Sequence, residues 1–274
     1  MGYLILSDYW RGIQKDLLTQ VISGEYSYLT QDESASVAEA KSYLVQKYDT
    51  SFEFQETLLY DYNTTYKGRQ RFYLNADAYS ATSTYALHSL TLYGGYVYLN
   101  TSAINTPEAW HSNHWQLLGK QYSIYYIDTI NPIYDFYTSY NVGDQVWYKD
   151  KTYTCIVDHA GYFPDKYPYY WGAGVNYSVP GSGFPSGNAA FVESDNRSAQ
   201  LVMYISDILL YHIHRRIAPQ NIPDLRVKRY DDAILWLKNA AEGDTITADI
   251  PIIQPNQGRR IRYGSRLPKQ NNNY

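Results

Sequence analysis

The sequence predicts an α+β protein: a small helical domain interrupted by a β-rich insertion and followed by an extended basic arm. Three observations lead there. Helical periodicity of apolar residues is confined to the two flanks of the chain. Between about 62 and 189 it gives way to short alternating runs rich in Tyr, Thr, Ser, Gly, Asn and Pro, the pattern of strands and turns. The last stretch, from Ile252, carries Arg259, Arg260, Arg262, Arg266 and Lys269 and no acid, as an unpacked arm does. The expected divisions are 1–62 and 190–250 for the two parts of the helical domain, 63–189 for the insertion and 251–274 for the arm. Insertions are tolerated where their two ends lie close together, so the flanking helices should pack on each other.

Each element has a local reason. Ile13 to Ile22 reads as a short helix stopped by Gly24. The segment from Tyr28 to Tyr48 reads as a longer one, with Thr30 as N-cap and Glu33 completing a capping box. Val37, Ala40, Leu44 and Tyr48 then fall on one face. Within the insertion, Tyr93-Gly94-Gly95-Tyr96-Val97-Tyr98 answers Tyr148-Lys149-Asp150-Lys151-Thr152-Tyr153. Each unit is followed by a proline (Pro107, Pro164) and a tryptophan (Trp115, Trp171), so the insertion is expected to hold two small repeated β-modules. Ser198 caps a helix through Ile217, with Leu201, Ile205, Ile208, Leu209 and His212 or Ile213 as its apolar stripe. Pro223 opens a further helix or its approach, Asp231 and Asp232 supply first-turn acids, and Gly243 is the stop.

Composition narrows the function classes. The 274 residues suffice for one large or two ordinary domains. Hydrophobic residues make up 45% and charged residues only 18%, which excludes disorder throughout. No run of 18 or more apolar residues marks a membrane span, and the first eight residues do not read as a secretion signal; synthesis in the cytosol is expected. Cys155, the single cysteine, excludes an internal disulfide and any multi-thiolate zinc site. A net charge of −4 argues against a general nucleic-acid coat. Tyrosine, at 33 against 7 Phe and 6 Trp, suits β-surfaces, sugar platforms and subunit interfaces.

Catalytic chemistry finds no foothold. There is no Gly-x-Ser-x-Gly elbow, no phosphate-binding glycine loop and no His-Glu-x-x-His. His212 and His214 are two apart on a helix, so they cannot converge on one metal; one is expected to be packed and one solvated. His111 and His114 lie among Trp110, Ser112, Asn113 and Trp115, where surface or stacking roles outweigh a metal site. Cys155 reads as a buried structural thiol. Asp231 and Asp232 are neighbours on a helix and do not form a facing carboxylate pair. The expectation is a non-enzyme with no cofactor and no metal.

Two stretches resemble known families. The run from Ser206 to Lys238, including His212-Ile213-His214-Arg215-Arg216-Ile217-Ala218-Pro219 and Asp231-Asp232-Ala233-Ile234-Leu235-Trp236-Leu237-Lys238, resembles the Mu-like head-tail connector proteins of tailed bacteriophages. So do the ending Ile261-Arg262-Tyr263-Gly264-Ser265 and the earlier Ser42-Tyr43-Leu44-x-x-Lys47-Tyr48-Asp49. The resemblance covers about half the chain and implies a virion protein of the head-tail neck, made in the host cytoplasm. Its implied partners are the portal protein, tail or further neck proteins, and other copies of itself in a ring, typically twelve-fold. Arg215, Arg216, Arg259, Arg260, Arg262 and Arg266 are the candidate portal or subunit contacts; solvated helix-terminal charge explains Arg215 and Arg216 as well. Genomic DNA would pass through a neutral or acidic lumen without specific binding, because a dense basic lining would retain phosphate.

The second resemblance lies in the insertion. Tyr140-x-x-Gly143-Asp144-x-Val146-x-Tyr148-x-x-x-x-Tyr153-x-Cys155, with His159, Gly161, Pro164 and Trp171, is similar to the small chitinase-type carbohydrate-binding modules. It implies a small three-stranded sheet with exposed aromatics for a polysaccharide. Trp147, Tyr148, Tyr153 and Trp171 are its candidate glycan or partner contacts, with Tyr96, Tyr98 and Trp110 from the first repeat; packing inside a small sheet is the alternative, favoured for Trp115 and Trp171. The insertion is thus expected either to grip capsid, neck or tail proteins or to attach the virion to host glycans.

Overall fold

The computed structural model describes residues 2–22, 26–129, 131–184, 189–243, 250 and 252, and is a mixed α+β structure with six α-helices and several small sheets among them. The N-terminal flank contributes α1 (Leu6–Gly12), α2 (Lys15–Val21), α3 (Tyr26–Leu44) and the single turn α4 (Thr50–Glu53); the C-terminal flank contributes α5 (Ala199–Ile217) and α6 (Asp224–Glu242). Both flanks share one apolar core, in which Ala40 and Leu44 of α3 meet Leu201, Ile205, Ile208, Leu209 and Ile213 of α5 and Ala233, Leu237 and Ala240 of α6. The small side chains on α3 and α6 let these helices approach closely. Ser198 caps α5 by accepting from Leu201 N, and Gly243 ends α6 at φ +102°, where a side chain would be strained.

Four helical expectations change. The helix expected over Ile13 to Ile22 is α2, which begins only at Lys15 because Ile13 and Gln14 are extended, and a further helix, α1, precedes it. The helix starts by Tyr26, so Thr30 lies inside it, and Glu33 makes no capping box. Its buried carboxylate instead accepts from Leu4 N and from the Tyr9 hydroxyl, both at 2.8 Å. Burial moves the Glu33 carboxyl upward against these two hydrogen bonds. Asp224, not Asp231 or Asp232, is the first-turn acid of α6. Tyr48 remains fully buried but follows the helix, which stops at Leu44. Gly24 lies outside the described residues.

The β-region runs from Thr57 to Glu193, slightly beyond the expected 63–189, because its first and last strands belong to one sheet. In chain order the strands are β1 (Thr57–Leu59), β2 (Thr65–Lys67), β3 (Arg71–Tyr73), β4 (Leu90–Tyr93), β5 (Tyr96–Asn100), β6 (Trp115–Lys120) and β7 (Ile124–Ile127). They continue as β8 (Ser139–Tyr140), β9 (Gln145–Tyr148), β10 (Lys151–Thr154), β11 (His159–Ala160), β12 (Val175–Asn176), β13 (Ser178–Pro180) and β14 (Phe191–Glu193). They form sheets β1-β3-β7-β14, β4-β5-β6 and β9-β10-β12, plus the pairs β2-β13 and β8-β11.

These strands are three copies of one module, not two. The windows 59–74, 78–93 and 133–148 align in sequence without a gap. Each opens on a tyrosine (Tyr60, Tyr79, Tyr134) whose ring stacks on that of the tyrosine six residues later (Tyr66, Tyr85, Tyr140). The second hydroxyl closes the intervening turn in the same way each time. It accepts at 2.7 Å from the backbone N–H of Asp61, Ser80 or Asp135 and donates to the carbonyl of that same residue. Three residues further on, each chain passes through a left-handed position: Arg69 at φ 63°, His88 at 65° and Gly143 at 98°. The closing tyrosine then pairs antiparallel with a returning segment, Tyr66 with Val179, Tyr85 with Ile104 and Tyr140 with His159. The expected match of Tyr93–Tyr98 to Tyr148–Tyr153 is the hairpin that follows in the second and third copies.

The copies are nested. The base module is split: module A (about 76–120) fills its β3–β7 hairpin, and module B (about 131–176) sits between β7 and β13. Base and module A share a core that includes Tyr60, Phe72, Val97, Leu99 and Leu118. Module B has its own, built on Tyr134, Tyr140, Val146, Tyr153 and Trp171.

A buried polar seam fastens the base module to the helices. Arg71 on β3 donates to the carbonyls of Phe52 and Glu53 in the last turn of α4 and of Gln55 just after it. Arg197, just before α5, bonds Asp8 at 2.7 Å, Asp195 at 2.8 Å and the Tyr3 carbonyl at 2.9 Å. Glu53 accepts from the Tyr3 hydroxyl at 2.5 Å and from Ser198 N at 2.8 Å. Burial alone would raise the Asp195 carboxyl, but hydrogen bonds from Arg197 hold it below its ordinary value. Replacing Arg197 by Met leaves Asp8 buried without its cation, and thermal or urea unfolding should register a loss of roughly 3–5 kcal/mol. Tyr140→Phe should destabilise by about 1–3 kcal/mol by stripping the Asp135 N–H and carbonyl of their partner.

Candidate functional site

The candidate surfaces follow from which side of each module's sheet is covered. In module B, Val146, Tyr153, Cys155 and Trp171 point to the inner core. Trp171 donates from Nε1 to the Tyr162 carbonyl at 2.8 Å, and its ring meets Tyr134, Tyr140 and His159. Trp147 faces the opposite way and is 3% exposed, because it closes on Gly68 of the base module. A Cβ on Gly68 would lie 2.7 Å from the Trp147 ring, so glycine is required there. Tyr153 and Trp171 are therefore core residues and Trp147 an inter-module pin; none of the three offers a ring face to a ligand. Tyr148 is half-buried against Tyr134 and Phe163, with the Lys149 ammonium 5.1 Å from its ring.

Module A presents a different arrangement. Tyr93, Trp110 and Trp115 form a three-ring stack with interplanar angles of 6° and 8°, and Tyr98 meets Trp110 edge-on. Trp115 is buried at the inner end, Trp110 is sandwiched and half-buried, and Tyr93 is the exposed outer ring, with Tyr96 exposed across the hairpin. Only Asp77, Glu108 and Lys120 carry charge between 76 and 120, so the surface is aromatic, hydroxyl and amide in character. On module B the outer aromatics are Tyr162 and Tyr170, stacked at 4.1 Å, with Tyr169 exposed beside them. Tyr93, Tyr162 and Tyr170 were not singled out by sequence; their spacing to Trp110 and to each other carries no signal until the loops are folded.

The basic candidates divide. Arg216 pairs with Asp32, reaches the Tyr28 carbonyl and lies over the Tyr28 ring, so it joins α5 to α3 within the chain. Arg215 is exposed at the end of α5. Arg259, Arg260, Arg262 and Arg266 lie outside the described residues. His212 bonds Glu39 at 2.9 Å, and the Tyr230 hydroxyl donates to the same carboxylate, so Glu39 ties α3 to both α5 and α6. His214 bonds the Leu210 carbonyl. His114 meets Glu108 at 2.6 Å, and among the described residues no group of three His, Cys, Asp or Glu is placed to hold a metal. Burial raises the Cys155 thiol, which donates to the Val157 carbonyl.

One cleft, of about 360 Å³, lies where the helices, base and module B meet, lined by Phe52, Arg69, Tyr126, Asp128, Asn131 and Asn196 among others. Arg69 lies 3.4 Å from the Phe52 ring centre, and burial lowers it to about 10 against the pull of Asp49. Among the described residues no helix is long and apolar enough to cross a membrane. No family model matches the chain, and no curated protein matches it.

His159 supplies a pH test. Both ring nitrogens are buried without a hydrogen-bond partner, the ring sits among Tyr140, Tyr162, Tyr170 and Trp171, and burial lowers its pKa despite Asp158. Because protonation then favours the unfolded chain, stability is full above the unfolded value of about 6.5 and falls as the pH drops below it. Thermal unfolding between pH 7.5 and 5 should show this loss, and His159→Phe should abolish the part due to this ring.

Proposed function

We propose that the protein is a non-enzymatic head-tail adaptor of a tailed bacteriophage virion, in which the helical domain contacts the portal and other copies in the neck, and the β-region projects from it. The observation that supports this reading best is the joint core of α3, α5 and α6. The two flanks that carry the connector resemblance lie more than a hundred residues apart in sequence, yet they close on each other as a connector with an insertion requires. Arg215 remains available to a partner at the end of α5, whereas Arg216 is used within the chain. The basic segment with Arg259, Arg260, Arg262 and Arg266 offers charge for a neighbouring subunit or the portal.

A second reading, attachment to host glycans through the insertion, is favoured by the exposed Tyr93 end of the Tyr93–Trp110–Trp115 stack and by the low charge around it. A flat exposed ring backed by rigid aromatics is the kind of surface on which a sugar face packs. The contacts would be Tyr93, Tyr96, Tyr98 and Trp110, not Trp147, Tyr153 or Trp171.

Mixing the full chain with its portal, with mass measured by light scattering and the product viewed by negative stain, should give a stacked ring with the portal's symmetry. A chain that stays unbound throughout would remove the adaptor reading. A glycan array probed with the full chain tests the alternative: silence across neutral and acidic glycans would sink it, and binding lost in Tyr93→Ala would support it.

A further inference from the structure

The cleft between the helices, the base module and module B is lined by polar side chains that the chain itself leaves unused. Arg69 is the first of them. Its backbone is left-handed, at φ 63°, where module B has Gly143, so a side chain is held there at a conformational cost. The half-buried guanidinium lies over the face of Phe52, with Cζ 3.4 Å from the ring centre. That contact fixes the plane of the group and leaves its N–H edge open. Among the described residues, none of these donors makes a hydrogen bond or an ion pair; Asp49 and Asp150 act on it as charges without contact. The Asp49 carboxylate instead accepts from Ser51 at the start of α4. By contrast, Arg71, Arg197, Arg216 and Arg226 all donate to carbonyls or carboxylates within the chain.

The groups that share the cleft with Arg69 are equally uncommitted. Asn196 Oδ1 is buried and receives no hydrogen bond. Among the described residues, the side-chain amide of Asn131 and the hydroxyl of Tyr126 also make none. Asp128 accepts from Thr129 N at 2.7 Å through one oxygen and keeps the other free. A buried polar atom without a partner calls for an explanation, and a concave junction between structural units is where ligands bind. One cation, two amides, a phenol and a carboxylate oxygen, all unused and all on one opening of about 360 Å³, meet both conditions.

We propose that this cleft binds a hydroxylated carboxylate, of the kind a sugar acid presents. The ligand carboxylate pairs with the Arg69 edge in the plane set by Phe52, one planar cation against one planar monoanion. A phosphate fits less well, because Asp128 places negative charge in the same cleft and, among the described residues, no second cation lines it. Asn131, Asn196 and Tyr126 can each donate and accept, as sugar hydroxyls do. Asn196 Oδ1 and the free Asp128 oxygen need donors, which a simple alkyl acid lacks. An amino acid would bring an ammonium to a site whose remaining groups are mostly neutral. The cleft shares no residue with the Tyr93–Trp110–Trp115 stack, so the inference stands apart from both the neck position and the glycan surface of module A.

The test is isothermal titration of the full chain with D-glucuronate. Saturable binding is expected with a dissociation constant of roughly 1 mM, and D-glucose should bind about tenfold more weakly or not at all. Arg69→Gln should weaken glucuronate binding by about tenfold or more. Asn131→Ala should weaken it by about twofold to fivefold, with unchanged circular dichroism and thermal midpoint, because the Asn131 side chain holds nothing within the chain. Glucose bound as tightly as glucuronate, glucose 6-phosphate or N-acetylaspartate bound more tightly, undiminished binding in both variants, or no saturable binding would each overturn the proposal. Portal binding, and glycan binding lost in Tyr93→Ala, are read in separate experiments and would survive any of these results.

Discussion

Every other feature depends on the buried polar seam where the β-region leaves and rejoins the helices. The chain departs after Glu53 and returns at Arg197, and these two residues are held through Tyr3 and Ser198 into one network. Arg71 adds the base module by occupying the carbonyls at the end of α4. Apolar residues at the same positions would also pack, but they would not fix the angle of the exit. Charge-assisted hydrogen bonds are directional, and a buried charge left unpaired is strongly destabilising. The seam thereby holds the base module, and all that is built on it, in one orientation relative to the helical core.

The tyrosine excess acquires a structural meaning from the repeated turn. A tyrosine hydroxyl that both accepts from and donates to one backbone unit does the work of a short strand pairing, while its ring packs on the tyrosine before it. Burial raises the Tyr66 hydroxyl to about 12, so it stays a neutral donor and acceptor across the physiological range. Small sheets lack the area for a deep aliphatic core; side chains that combine ring area with a hydrogen-bonding end compensate. Much of the tyrosine signal is therefore architectural, and only its outer members, such as Tyr93, Tyr137 and Tyr169, are available to partners.

The sequence was most legible where the determinants are local. Ser198, the stripe from Leu201 to Ile213, and Gly243 lie within or beside the helices they specify, and α5 and α6 follow them closely. The start of α3 is not legible in the same way, because Glu33, well spaced for a capping box, serves Leu4 and Tyr9 across the core. The third module is hidden in the sequence because nesting splits it: Tyr60–Leu74 has no contiguous partner hairpin, and Phe191 stands where Trp115 and Trp171 stand in its sisters. Nor does alternation along a strand tell which face will be the core. Trp147 and Tyr153 look equally suited to a ligand in sequence, yet one pins two modules together and the other fills an interior.

Nesting also orders events in time. Modules A and B pair strands that are close in sequence, so each closes after a short loop search and can form as soon as its own segment has left the ribosome. The base module cannot. Its β3–β7 contact spans all of module A, and its β2–β13 contact waits for module B as well. Synthesis from the N-terminus thus allows the strands of both inserted modules to pair on an open hub, with the core that module A shares with the base completed only when β13 and β14 emerge. The seam at Arg197 and the joint helical core come after that, so segments made late lock segments made early.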